Sequence, residues 1–433
     1  MDLLRGNIKD TYVKYLVASF GSAILPSVYG LIDMMVVGQY HGPVGSAAMA
    51  IIAPIWNVVF GCGILTGVGA SIYFNIEKNS KNQDKANMYF TVGMILTSLL
   101  ALSLWLGLIF FDDSILMAFG ADETLLPLAK KYVLPVKFLL PVFLFMQYMA
   151  AFLRNDDNPI LASKAVIIGG VFNIFGDLFF VFVLDMGIMG AGLATCMGAS
   201  LSLMVMLTHF RNEKNTIKFT KSLEIISKMK NIISMGFGAF FVDLSMGILT
   251  MVFNIQIMKY LGSDALSVYG IIVNISTFVQ CCAYAIGQSS QPILSANFSE
   301  GNFDRISKLY RYNVITALII SAIWMSLTML VPNMFVNVFM TPTQEVLEIA
   351  PNIIRLYSLS YILLPFNIYV TYYFQSIMKP DVAFLVSILR GLVVSCILLV
   401  VLPLIFGGNS LWVAMLITEI IIFLFIMYIK NKK

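Results

Sequence analysis

Two aspartates stand inside long apolar stretches of the sequence. Asp33 lies in YGLIDMMVVGQY, in an apolar run that begins near Tyr12, and Asp177 lies in VFNIFGDLFF. An ionised carboxylate at the centre of a membrane helix costs roughly 2.5–3.5 kcal/mol on insertion scales. Because a partner or a function must offset that cost, the two acids predict a site that binds a proton or Na⁺.

Other polar side chains accompany these acids at helical spacing. Tyr29 and Asp33 stand four residues apart, as do Asn173 and Asp177, so each pair shares one face of a helix. Two carboxylates, two amides, a phenol and a hydroxyl form the predicted coupling set, which is Asp33, Tyr29, Asn173, Asp177, Thr195 and Gln147. Pro26 precedes Asp33 by about two helical turns and is the predicted hinge, because an interior proline removes a backbone hydrogen bond.

Three further charges fall in apolar stretches of the second half. Arg390 lies near the middle of one predicted helix and Glu419 near the middle of the next, so we expect them to form a structural ion pair. Asp243 has no assigned partner in the sequence, and a role in substrate binding and a structural role both stay open.

The elements that position these residues are membrane helices. Hydrophobic residues are 59% of the 433 and charged residues 12%, with a mean hydropathy of +0.88, whereas a soluble domain is about one quarter charged. Stretches of about 20 apolar residues, enough to span a bilayer, predict an all-α polytopic membrane protein with twelve transmembrane helices. The predicted spans are 12–39, 45–75, 88–111, 132–153, 159–184, 188–209, 231–259, 265–296, 309–332, 352–377, 381–404 and 410–429.

Basic residues predict the orientation of these helices. If both termini are cytoplasmic, most of the 27 Lys and Arg residues fall on the cytoplasmic side of the membrane. This distribution agrees with the positive-inside rule. Asp112 and Asp113 then lie in an outer loop, and Asp156 lies in a cytoplasmic loop where Asp156→Asn should be nearly silent. From the polar stretch MDLLRGNIKD we expect no cleaved signal peptide. We expect a location in the plasma (inner) membrane of a bacterium, and no nucleic-acid partner.

An internal repeat divides the chain into two lobes. A shift of 220 residues aligns 38–120 with the second half, including the loop motifs NQDK and NFDR. The repeat predicts two pseudo-twofold-related six-helix bundles, 1–209 and 231–433, joined by a polar linker at 210–230. Repeats of six helices enter the membrane in the same orientation, which favours alternating access around a cleft.

The motifs LIDMMVVGQ, NIFGDLFFV, GIMGAGLAT, QPILSANFSEGNFDR and ILRG, in this order, resemble the multidrug and toxic compound extrusion (MATE) transporters, in particular their DinF-like branch. The resemblance implies export of amphipathic, often cationic, compounds in exchange for H⁺ or Na⁺, without a cofactor, by a monomer in the lipid bilayer. It makes Asp33 the essential acid of the first helix, with Tyr29, Asn173, Asp177 and Thr195 in its network.

Two other functions fit parts of the sequence. A flippase for lipid-linked precursors shares the larger superfamily, but the diphosphate of its substrate needs several cationic residues in the membrane. A membrane prenyltransferase needs clustered acids such as NDxxD for Mg²⁺, and RNDDNP lacks the downstream acid. The five cysteines fall in predicted helices and the two histidines show no metal-ligand spacing, so we expect no metal centre beyond a coupling ion. The resemblance implies a transporter rather than an enzyme.

Overall fold

The computed structural model describes residues 4, 7–156, 158–213, 215–221 and 224–431, and for residues 18, 21–27, 29 and 79 it describes only the backbone. Within these ranges the chain is helical, and no β-strand is present. The helices are α1 (Ile8–Asn79), α2 (Gln83–Ala118), α3 (Leu126–Asn155), α4 (Pro159–Asp177), α5 (Ile188–Leu207), α6 (Ile225–Tyr260), α7 (Gly262–Ser299), α8 (Phe303–Leu330), α9 (Pro332–Phe339), α10 (Gln344–Ser358), α11 (Leu364–Ser376), α12 (Pro380–Ile388), α13 (Val394–Phe406) and α14 (Leu411–Asn431). π-helical turns at Leu178–Val183 and Leu389–Val393 follow α4 and α12.

Helix α1 contains two of the predicted membrane spans. Eleven helical stretches of the described chain are long and apolar enough to cross a membrane, and one of them, Gly30–Lys78, has 49 residues. The chain changes direction inside it at Gly42, where φ is 63° and ψ is −147°, a conformation that glycine adopts without the clash of a Cβ atom. Counted on both sides of Gly42, the spans number twelve, and the predicted architecture is confirmed.

The observed helices differ from the predicted ones mainly at their ends. Helix α6 begins at Ile225, inside the predicted linker, and the short helix α9 was not predicted. Helix α2 extends to Ala118, so that both Asp112 and Asp113 lie within it and not in a loop. The Lys137 ammonium of α3 lies 2.5 Å from the Asp112 carboxylate, and this pairing lets the helix continue past an acid.

By packing, the chain forms two compact units, one of Met1–Ala47 with Val252–Lys433 and one of Ala48–Met251. The first part of α1 therefore packs with the second half of the chain. The Tyr12 hydroxyl donates to Thr316 Oγ1 over 3.0 Å, and the Thr341 amide donates to the Gly38 carbonyl over 3.1 Å. The lobes predicted from the repeat assign the first helix and most of α6 differently from these units. The division into the two predicted lobes stays a prediction.

Within the unit Ala48–Met251, small residues bring α4 and α5 together. A Cβ atom added to Gly169 would lie 2.3 Å from the carbonyl oxygen of Gly198, far inside van der Waals contact. Both positions therefore need glycine, and the two backbones run closely past each other. This approach places the polar side chains of α4 beside those of α5.

Part of the predicted linker is docked on the same unit. The Lys218 amide donates to Asn87 Oδ1 over 3.0 Å and the Thr220 amide to Thr91 Oγ1 over 2.9 Å, both on α2. Ile217 is buried among the apolar side chains of this unit. Residues 215–221 are therefore a strap along α2.

Candidate functional site

A polar cluster joins α4 to α5. Asn173 Nδ2 lies 3.3 Å from Asp177 Oδ1 one helical turn away and 3.3 Å from Thr195 Oγ1 on α5. Asp177 is fully buried, Asn173 is almost so, and Thr195 is partly buried. The structure thus brings together three members of the predicted coupling set, on the two helices that glycine allows to approach closely.

The backbone beside this cluster departs from an α-helix. The π-helical turn Leu178–Val183 begins immediately after Asp177. Such turns occur mostly as single insertions, often at functional sites, and they change how the following residues are presented. A buried carboxyl group next to a neutral amide can hold a proton or a small cation, and a π-helical turn beside it can rearrange with that change.

Asp33 is buried in α1, with 6% of the residue exposed, and it belongs to the unit of Met1–Ala47 with Val252–Lys433. The side chains of Tyr29 and Pro26 lie outside the described part of the structure, so the predicted partner and hinge of Asp33 stay predictions. The participation of Asp33 with Asp177 in one coupling mechanism also stays a prediction.

Gln147 and Asp243 both pack against the second part of α1. A Cβ atom added to Gly63 would lie 2.8 Å from Gln147 Cβ, and one added to Gly61 would lie 3.2 Å from Asp243 Cβ. Asp243, in α6, is partly buried and belongs by packing to the unit Ala48–Met251. Its role in substrate binding or in structure stays open.

Arg390 and Glu419 meet inside the other unit. Arg390 Nε donates to Glu419 Oε1 over 2.7 Å, and the Glu419 side chain is fully buried. Asn367 Nδ2 donates to Glu419 Oε2 over 2.6 Å and to the Glu419 carbonyl over 2.9 Å. Arg390 and Glu419, which the sequence predicts to pair because both lie near the middle of their helices, are therefore in contact. Asn367, which was not predicted from the sequence, donates to the second carboxylate oxygen.

A second group of missed residues surrounds Asp156. Its carboxylate accepts from Lys78 Nζ over 2.8 Å, is 2.8 Å from His209 Nε2, and accepts from the Thr216 amide over 2.9 Å and from the Thr216 hydroxyl. Asn158 Nδ2 lies 3.1 Å from His209 Nδ1. We call these five residues the Asp156 cluster. It ties the ends of α1, α3 and α5 to the strap.

The sequence predicts that Asp156→Asn is nearly silent in transport, which stays a prediction, but the contacts of the Asp156 cluster predict that the substitution lowers the stability of the fold. Asp156 is fully buried. Burial acts to raise the pKa of its carboxyl group, but hydrogen bonds from Lys78, Thr216 and His209 outweigh it and leave the pKa below its usual range. No spacing in the sequence reveals this cluster, because its members come from four separate segments.

Comparison with known proteins supports one family. The family model MatE matches residues 18–179 and 238–401, more than half of the chain. The probable multidrug resistance protein YoeA of Bacillus subtilis is 25% identical over 363 residues, which cover 81% of this chain and 77% of YoeA. The multidrug export protein MepA of Staphylococcus saprophyticus is 24% identical over 404 residues, which cover 92% of this chain and 88% of MepA.

Solved structures share the fold. The inward-facing conformation of a multidrug resistance MATE family transporter of the MOP superfamily matches with a TM-score of 0.82 at 20% identity, covering 92% of each chain. The MATE multidrug transporter DinF-BH, in complex with R6G, matches with a TM-score of 0.74 at 22% identity, covering 98% of this chain and 95% of that one. At such identities the likeness establishes the arrangement of the helices.

Proposed function

The chain belongs to the MatE family of multidrug transporters, and from this premise we propose that it exports amphipathic, often cationic, compounds in exchange for H⁺ or Na⁺ by alternating access. We place it in the plasma (inner) membrane of a bacterium as a monomer, with both termini in the cytoplasm. The observation that carries the proposal is the contact of Asn173 with both Asp177 and Thr195, deep in one compact unit.

The substrate class is supported by the relatives. YoeA and MepA are described as a probable multidrug resistance protein and a multidrug export protein, and DinF-BH is solved with R6G. Amphipathic cations and dyes are therefore the first substrates to test.

In the proposed cycle, the state of Asp177 decides how its neighbours bond. Asn173 Nδ2 donates to an ionised Asp177, and the same amide contacts Thr195. When Asp177 takes up a proton, the carboxyl group gains an O–H donor and loses its negative charge, so the hydrogen bond that Oδ1 accepts from Asn173 becomes weaker. The amide then turns towards Thr195, and the π-helical turn Leu178–Val183 adjusts with it.

Asp33 has a parallel role on the first helix. We propose that its protonation or Na⁺ occupancy selects one conformation of the first part of α1, with Tyr29 as its hydrogen-bonding partner and Pro26 as the point of bending. A ligand or ion shifts a conformational equilibrium only by the difference in its affinity for the two states. Asp33 must therefore bind its proton or ion more tightly in one conformation than in the other.

The structure bears differently on the two alternative functions, a prenyltransferase and a flippase for lipid-linked precursors. A prenyltransferase needs free carboxylates for Mg²⁺, whereas both oxygens of Asp156 in RNDDNP are already engaged by Lys78, His209 and Thr216. Export of a lipid-linked precursor remains the second candidate within the superfamily, and direct assay separates it from drug export.

The test uses purified protein in lipid vesicles loaded with R6G, without ATP. We expect dye movement to follow an imposed pH gradient or an imposed Na⁺ gradient, and the gradient that drives it identifies the coupling ion. Vesicles with the exposed substitution Asp381→Asn, in the first turn of α12, serve as the matched control. Dye movement that ignores both gradients would refute coupled export.

A further inference from the structure

The first part of α1 ends beside the end of α9, and hydrogen bonds run in both directions between them. Gln39 Nε2 donates to the Asn337 carbonyl over 2.7 Å and to the Val338 carbonyl over 3.0 Å. The Thr341 amide donates to the Gly38 carbonyl over 3.1 Å, and the Thr341 hydroxyl lies 3.1 Å from both the carbonyl oxygen and the Oε1 of Gln39. We call Gly38, Gln39 and residues 337–341 the clasp.

The clasp joins the carbonyl ends of two helices. The last carbonyls of an α-helix have no partner within the helix, and this applies to α1 where it breaks at Gly42 and to α9 where it ends at Phe339. The Gln39 side chain bonds the last carbonyls of α9, and Thr341 bonds carbonyls at the end of the first part of α1. Because both helix ends carry partial negative charge, their contact depends on these donors.

The clasp combines a tight backbone contact with exposed hydrogen bonds. A Cβ atom added to Gly38 would lie 2.1 Å from the Phe339 carbonyl oxygen, so that this approach requires glycine. Phe339 and Met340 are buried and fix one side of the contact. The side chains of Gln39 and Thr341 belong to exposed residues, where water can replace their hydrogen bonds at small cost. The clasp can therefore open without stranding buried polar groups.

The internal repeat does not preserve the clasp. Under the shift of 220 residues, Gly38 and Gln39 correspond to Met258 and Lys259. A methionine in the place of Gly38 would overlap the carbonyl that approaches it. The clasp is therefore a feature of the first helix and not a general requirement for folding a repeat of six helices.

Asp33 lies between two contacts that hold the first part of α1 in its unit. The Tyr12 hydroxyl donates to Thr316 on one side, and the clasp begins about 9 Å beyond Asp33 at 1.5 Å per helical residue. The chain passes into the other compact unit at Ala48. A displacement of this part of α1 from its unit must break the contact at one end or the other, and the exposed clasp opens at the lower cost.

We propose that the clasp opens and closes in each transport cycle, with Gln39 and Thr341 as positioning residues for the first part of α1. The closed clasp holds this part of the helix in place, and it opens when Asp33 exchanges its proton or ion. The inference rests on the proposed export function, to which it adds the contact that breaks when α1 moves. Such coupling is reciprocal, so the state of Asp33 also changes the stability of the clasp.

A removable cross-link tests whether the clasp must open. The variant Gln39→Cys with Thr341→Cys keeps the backbone bond to Gly38 and is bridged by a short bifunctional thiol reagent that reduction releases. Mass spectrometry verifies the bridge, and gradient-driven R6G efflux from vesicles is measured before bridging, after it and after reduction. We expect bridging to abolish efflux and reduction to restore it. Full efflux by the bridged protein, or failure of the pair to bridge, would overturn the proposal.

A matched pair in the other unit controls for bridging itself. Asp113→Cys with Lys130→Cys replaces an ion pair of 2.6 Å between α2 and α3, and its efflux should be the same with and without the bridge. The single variants Gln39→Cys and Thr341→Cys, treated with the same reagent, control for reaction at the five native cysteines.

Hydrogen exchange measures opening of the clasp without transport. The Thr341 amide exchanges when its bond to Gly38 opens, and Gly38→Ala should speed exchange of this peptide about tenfold because the added methyl group keeps the clasp from closing fully. Gly107→Ala in α2 should leave it unchanged, since an added Cβ there has no heavy atom within 4 Å in the described chain. Gln39→Leu, which removes the Nε2 donor without crowding the backbone, should also speed exchange. Wild-type exchange in Gln39→Leu would overturn the proposal even if Gly38→Ala fails to fold.

The link to Asp33 is tested by the same measurement. Asp33 is buried while the clasp is closed, and a neutral amide is less costly to bury than an ionised carboxylate. Asp33→Asn should therefore slow exchange of the Thr341 amide several-fold, and an unchanged rate would separate the clasp from Asp33 and refute the coupling. Loss of gradient-driven R6G efflux in the wild-type protein would instead refute the proposed export function, while exchange would still report on the clasp.

Discussion

Asp156 and Asp177 are two fully buried acids in the same compact unit, and they differ in the groups that contact them. The carboxylate of Asp156 is contacted by Lys78, His209 and the amide and hydroxyl of Thr216. That of Asp177 accepts a 3.3 Å contact from the neutral amide of Asn173. A charged donor such as the Lys78 ammonium favours the ionised form of the carboxylate that it contacts. Burial therefore does not identify a functional acid, but the donors around it help to do so.

Glu419 resembles Asp156 in this respect. Both accept a short hydrogen bond from a basic side chain, 2.7 Å from Arg390 Nε and 2.8 Å from Lys78 Nζ respectively. The comparison predicts that neutral substitution harms folding at Glu419 and Asp156, and harms transport at Asp177.

The largest effect on stability is expected for the Arg390–Glu419 pair. Either Arg390→Gln or Glu419→Gln leaves a buried charge uncompensated, which costs about 3–5 kcal/mol. Folded yield and thermal unfolding in detergent measure this loss. The double exchange Arg390→Glu with Glu419→Arg should recover part of it, and no recovery would argue that direct pairing does not stabilise the fold.

Asp156→Asn should cost less, about 1.5–3 kcal/mol, because Lys78 remains partly exposed and can regain water. The control is Asp113→Asn, which breaks an exposed pair with Lys130 of 2.6 Å and should change stability by about 1 kcal/mol or less. Thermal unfolding at neutral pH compares the two. If the two variants show equal and small changes in unfolding temperature, Asp156 stabilises the fold no more than the exposed Asp113 does.

The Asp156 cluster also predicts a dependence on pH. The pKa of Asp156 is lowered in the folded protein, so its contribution to the free energy of unfolding is fully present above the ordinary value of 3.8 and is lost as the pH falls through the folded pKa. In the acid range, the wild-type protein should lose stability more steeply than Asp156→Asn. Parallel stability curves for the two proteins would contradict this assignment.

Asp243→Asn should have the smallest effect, confined to substrate preference. If Asp243 contacts substrate, transport of a cationic dye should weaken several-fold while transport of a neutral compound stays unchanged, because only the cation loses an attractive charge. Initial rates in vesicles compare the two compounds. Equal behaviour on both would leave Asp243 with a structural role beside Gly61.

The features that depend on local sequence were predictable. Apolar stretches predict the spans because a bilayer selects about 20 apolar residues, and a spacing of four residues predicts the contact of Asn173 with Asp177. The Asp156 cluster was not predictable, because its contacts join segments far apart in the chain. The packing of the first part of α1 with the second half has the same origin, since contacts such as Tyr12 with Thr316 span some three hundred residues.

The central claim is that Asp33 and Asp177 couple ion movement to export, and it is tested most directly by gradient-driven efflux with Asp33→Asn and Asp177→Asn. Each asparagine mimics a permanently protonated acid, so both variants should fold with nearly wild-type thermal stability and lose gradient-driven dye efflux from vesicles. Asp381→Asn should transport normally. Full, gradient-dependent efflux by Asp33→Asn or by Asp177→Asn would contradict the account.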